Sequence, residues 1–90
     1  MKNYELFEKV IKNFGELDQN LKCGKLFFNT EEKKIYSYNE AILKIVNGEF
    51  FVYGKTKQFN NFLSFTTSKH INLLIRTLEQ EQFNFKVIQE

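Results

Sequence analysis

Ninety residues with 13 Lys and Arg against 11 Asp and Glu, a net charge of +2, make one domain over residues 1–90; two cores would each be too small to bury enough surface. The balanced charge excludes the basic character that by itself announces a nucleic-acid binder. One cysteine excludes an internal disulfide scaffold, and no apolar run approaches the ~20 residues of a membrane span. The expected setting is a reducing cytoplasm, with no membrane partner.

The first element is a helix from Tyr4 to about Leu17. Leu6, Phe7, Val10, Ile11, Phe14 and Leu17 fall on one stripe, with Asn3 as its N-cap. Gly15 ends or frays it, and Asp18-Gln19-Asn20 carries turn chemistry. From Lys25 the pattern becomes extended. Lys25–Asn29 and Lys34–Tyr38 read as strands around a turn at Thr30-Glu31-Glu32-Lys33.

The strongest local signal follows: Asn47-Gly48 between AILKIV and EFFVY, the preferred dipeptide of a type I′ hairpin. A two-residue loop pairs Val46 with Glu49, Ile45 with Phe50, Lys44 with Phe51, Leu43 with Val52 and Ile42 with Tyr53. Leu43, Ile45, Phe50 and Val52 then form a core face. Ile42, Lys44, Phe51 and Tyr53 form a mixed face that is a candidate contact surface.

Residues 54–65 are a longer connection in which Phe59, Phe62 and Phe65 recur every third position, a spacing that places three rings on the core. A second helix opens at Thr66-Thr67-Ser68, with Ile71, Leu74, Ile75 and Leu78 inward. Phe83, Phe85 and Val87 alternate with polar residues as a final strand. The expected fold is α+β: a four- to five-stranded, mainly antiparallel sheet with two helices on one face, in the order αββββαβ.

Catalytic chemistry has little to draw on. Cys23 and His70 are the single Cys and the single His, nothing in their positions brings them together, and a free cysteine is ordinarily a small buried hydrophobe. Zinc needs three or four ligands at defined spacing, which this pair does not supply. The glycines stand singly, so no phosphate-cradling loop exists. Neither enzyme activity, a metal nor a cofactor is expected.

Two features remain for binding. Thr66, Thr67, Ser68, Lys69 and His70 put hydroxyls and positive charge at a helix start, where free amides attract anions. The competing reading, with Thr67 as N-cap and Thr66 and Ser68 helping to satisfy orphan amides, outweighs it. Aromatic residues make up 17% of the chain, more than a core requires. Phe27, Tyr36, Tyr38, Phe51 and Tyr53 are expected to face away from the helices. The candidate partner-binding set is Tyr36, Tyr38, Lys44, Phe51, Tyr53, Lys55 and Lys57. Core cover, a protein interface and base stacking compete for those rings, in that order.

SYNEAILKIVNG, followed by FTTSKHINLLI, resembles a small family of phage and prophage proteins without an assigned activity. The matching positions are Ser37, Tyr38, Asn39, Gly48, Thr66, Thr67, Ser68, Lys69, His70, Ile71 and Asn72, within residues 36–76. The chain departs from that pattern in its longer insert GKTKQFNNFLSF, its N-terminal helix and its C-terminal strand. The resemblance implies a phage or mobile-element origin and no catalytic residues. Proteins of that kind often inhibit host machinery stoichiometrically, so it implies a host protein as partner, with a CRISPR effector the most specific target. A nucleic-acid-binding accessory role, using Lys25, Lys34, Lys44, Lys55, Lys57 and Lys69 around exposed Tyr and Phe, is the alternative, and a homodimeric module the third.

Overall fold

The computed structural model describes residues 1–54 and 65–88. Its elements are α1 (Asn3–Lys12), β1 (Leu21–Cys23), β2 (Leu26–Asn29), β3 (Lys34–Ser37), β4 (Glu40–Val46), β5 (Glu49–Tyr53), α2 (Phe65–Gln80) and β6 (Phe85–Ile88). The six strands form one sheet in sequential order. The first four pairings are antiparallel. β6 runs parallel to β5, because the chain returns to the sheet through a helix, as a parallel connection requires.

The α+β class is as expected, but the sheet is larger and mixed. The additional strand is β1, three residues ending at a tight turn where Gly24 takes φ +57. A pairing so short leaves no alternation to read.

One apolar core gathers buried residues of both helices and of the sheet. Leu6, Phe7, Val10 and Ile11 from α1 and Ile71, Leu74 and Leu78 from α2 meet Leu26, Phe28, Ile35, Leu43, Ile45, Phe50 and Val52. The hairpin register around Asn47-Gly48 is the one expected from Val46–Glu49 to Leu43–Val52, with both loop residues at positive φ. The fifth expected pair, Ile42 with Tyr53, is not formed in that register. The β3–β4 register shifts between Ile35, opposite Leu43, and Tyr36, opposite Ala41. Ile42 falls in the gap, and Ile42 and Leu43 are both fully buried. Such a bulge breaks the strict in–out alternation.

Both helices end on the same device. In α1 the Gly15 amide bonds the Val10 carbonyl (2.8 Å) and Phe14 N–H bonds Ile11 (3.0 Å); in α2 Phe83 N–H bonds Leu78 (2.9 Å) and Gln82 N–H bonds Glu79 (3.1 Å). These are paired Schellman bonds, which need a left-handed residue just past the helix. Phe14 (φ +53) and Gln82 (φ +63) occupy that place, where glycine is usual. The first helix therefore stops at Lys12, short of the expected Leu17. Asn3 is its first residue and not its cap; Lys2 precedes it, and its amide donates to Glu5 Oε1 (2.6 Å).

Candidate functional site: a buried hydroxyl–imidazole lock and an open lysine–aromatic face

The segments around Ser37 and around Thr66–His70 meet in space. Ser37, at the end of β3, points into the core, and its Oγ lies 2.7 Å from His70 Nδ1 and 3.1 Å from Thr67 Oγ1. Ser37, Thr67 and His70 are 0%, 1% and 6% exposed. Thr67 and His70 sit three apart on α2, hence one above the other on its inner face. Burial among apolar neighbours lowers the pKa of His70 below the ordinary 6.5, because the charged imidazolium would lose its water. The neutral ring offers one donor and one acceptor, and a hydroxyl can do either, so the trio closes without an orphaned polar atom. No buried side-chain N or O among the described residues lacks a partner.

This geometry corrects the expectation for the helix start. α2 begins at Phe65, so Thr66, Thr67 and Ser68 lie inside its first turn. Thr67 is not an N-cap; its hydroxyl meets Ser37. Thr66 and Ser68 are half-buried, and Lys69 is exposed. An anion at this terminus would find the Thr67 and His70 side chains turned inward. Ser–His contact also resembles the pairing used for nucleophilic attack, yet a serine oxygen with no exposed surface cannot meet a substrate. Cys23 is engaged elsewhere: its thiol donates to the Met1 carbonyl (2.9 Å) and lies 3.3 Å from Asn3 Oδ1.

The sequence singled out Ser37 as part of the Ser37-Tyr38-Asn39 segment but gave it no structural role. Tyr38 takes a left-handed φ of +58, which turns the chain from β3 into β4. Its ring is 46% exposed, with Lys25 Nζ 5.7 Å from its centroid. The same turn that aims Ser37 inward thus presents Tyr38 outward.

The sheet face away from the core carries two cross-strand rows. One is Lys22–Phe27–Tyr36 on β1 to β3. The other, Lys34–Lys44–Phe51–Lys86, runs over β3 to β6. Phe27, Tyr36 and Phe51 are half-buried, and Lys44 Nζ lies 5.8 Å from the Phe51 centroid. Tyr36 donates to Glu32 Oε1 (2.7 Å); that bond first, then desolvation, raises the pKa of its hydroxyl. Lys34 and Lys44 are direct cross-strand partners, and like charges so placed repel.

Of the expected partner-binding residues, Tyr36, Lys44 and Phe51 share this face. Tyr38 stands in the turn beyond it. Tyr53 is 6% exposed and leaves the surface set: it ends β5 beside Ile88, at a position where simple alternation would have faced it outward. Lys55, Lys57 and the expected turn carrying Phe59 and Phe62 lie outside the described residues. The sequence reading missed Lys22 and Lys86 as members of this surface, since only the pairing register aligns them with Lys34 and Lys44.

Among the described residues no group of His, Cys, Asp and Glu could hold a metal ion, and no helix is long and apolar enough to cross a membrane. Compared with protein-family models, with curated proteins and with solved structures, the chain matches none.

Proposed function

We propose that this is a phage or mobile-element protein that works by binding a macromolecule of its host, as a stoichiometric inhibitor of a defence system and most specifically as an anti-CRISPR. The observation that carries the binding reading is the outward sheet face, where Phe27, Tyr36 and Phe51 lie among Lys22, Lys34, Lys44 and Lys86. Half-buried rings beside cations supply large contact area at low entropic cost. The resemblance of the Ser37 and Thr66–Asn72 segments supports the phage setting. The inward-turned Ser37–His70 pair supports a structural use of the polar groups that chemistry would otherwise claim.

One observation favours a second reading, a nucleic-acid-binding accessory protein: the row Lys34–Lys44–Phe51–Lys86 brings like charges together around a stacking surface. A phosphate backbone would be drawn to these ammonium groups while a base stacks on the ring.

Capture on tagged protein from a lysate of a phage-susceptible host, with and without nuclease, separates the two. A defence protein retained after nuclease, with loss of that defence on expression, is the result expected of the inhibitor. Capture abolished by nuclease, with affinity falling steeply as salt rises, replaces it with the nucleic-acid reading.

A further inference from the structure

The two left-handed helix ends meet beside a cleft. Phe14, thrown outward by its φ of +53, stacks on Phe50 with centroids 5.6 Å apart and planes at 23°. Phe83, the residue after left-handed Gln82, meets both edge-on at 5.5 Å. Phe50 is buried and forms the floor, whereas Phe14 remains 42% exposed although it sits in this aromatic trio. The cleft has a volume of about 470 Å³, within the range of small-molecule sites.

Its rim is polar and specific in kind. Gln82, Asn84, Glu49 and Lys86 are among the residues that line it. An aliphatic or lipid occupant would cover the Gln82 and Asn84 amides and leave them unpaired. A planar heteroaromatic ring would instead lie against Phe14, offering its edge to Gln82 and Asn84. Amides of this type can pair with a base edge twice over, and Glu49 accepts from an exocyclic amino group. Lys86 belongs to both surfaces: it borders the cleft and ends the row through Phe51 and Lys44 to Lys34. A phosphate attached to a base in the cleft would therefore lie at the start of a lysine track.

We propose that this cleft is a nucleobase pocket: an unstacked base lies against the exposed surface of Phe14 at the mouth of the cleft, Gln82 and Asn84 read its edge, and Lys86 holds the adjoining phosphate. The inference rests on the nucleic-acid reading of the open face and gives it a defined point of entry. The shared chemistry is a base carrying a phosphate, from a single strand or from a free nucleotide.

The test uses the full chain with a short single-stranded oligonucleotide carrying one 2-aminopurine, in RNA and DNA forms, and adenosine monophosphate as competitor. Binding by anisotropy with a change in 2-aminopurine emission is expected. Phe14→Leu, which keeps apolar packing and removes the ring, should weaken affinity roughly tenfold or more and abolish the emission change. Lys86→Gln should lower the salt slope by about one. Thermal melts confirm that both variants are folded. Competition by the mononucleotide at matching affinity, lost in Phe14→Leu, identifies a free nucleotide as the ligand. Unchanged binding and emission in Phe14→Leu overturns the pocket and leaves the lysine track standing. Failure of the unmodified protein to bind either strand or the nucleotide at low salt overturns both.

Discussion

Ser37 Oγ and His70 Nδ1 are 2.7 Å apart across 33 positions of sequence, and through them β3 is tied to α2 inside the core. The bond sits where water cannot replace it, so its loss falls on stability. Ser37→Ala should cost about 1–3 kcal/mol in urea unfolding, since it leaves a buried imidazole nitrogen without its acceptor or donor. A double-mutant cycle with His70→Ala should return a coupling of at least about 0.5 kcal/mol. Simple additivity would show that the two groups do not act as a pair.

The same ring makes stability depend on pH in a defined direction. Burial lowers the folded-state pKa of His70 below 6.5, so between that value and 6.5 the unfolded chain holds more protons. The contribution is complete above pH 6.5 and falls as the pH drops through the interval. The melting temperature should therefore decline on acidification below about pH 6.5, and His70→Gln should flatten that part of the profile. An undiminished decline in the variant would assign it to carboxylates.

Phe51 and Tyr53 lie two residues apart on β5 and should respond oppositely. Phe51→Ala removes a half-buried ring from the open face; it should leave the melting temperature almost unchanged and weaken partner capture. Tyr53→Ala opens a cavity at a position 6% exposed and should cost about 3 kcal/mol. Equal stability losses would place both rings in the core.

The left-handed residues offer a test in each direction. A methyl group on Gly15 would stand 2.9 Å from Ile45 Cδ1 at a φ of +75, so Gly15→Ala should destabilise by about 1–2 kcal/mol. Gln82→Gly relieves strain at the Schellman position and should stabilise by about 0.5–1 kcal/mol. Differential scanning calorimetry on the two variants reads both.

Local chemistry made some of this fold legible in the chain. Asn47-Gly48 can be read without any distant residue, since its turn type dictates the Leu43–Val52 register and hence which side chains enter the core. The turn after Asn29 is equally local: Asn29 Oδ1 accepts from the Glu31 and Glu32 amides at 2.9 Å each. What needed the folded molecule depends on non-local pairing. The Ile42 bulge arises from β3 meeting β4 out of step, and Tyr53 is buried where alternation predicts exposure. Thr67 carried the sequence features of a cap, yet its hydroxyl serves Ser37 because the helix starts earlier, at Phe65. The lysine row is invisible in one dimension, as its four members sit on four different strands. The aromatic cleft joins the ends of both helices to β5 and β6, which no periodicity within one element reveals.

The parallel pairing of β6 with β5 has a consequence for synthesis. Strands β1 to β5 join by short turns and can assemble as they leave the ribosome, but the free side of β5 must wait until α2 and the segment beyond it have been translated. During that interval Phe50 and Val52 sit on an unpaired edge, the kind of template on which nascent chains associate with one another. Yield on rapid overexpression should therefore be governed by how quickly that edge is capped, and slower translation at low temperature should favour the folded over the aggregated product.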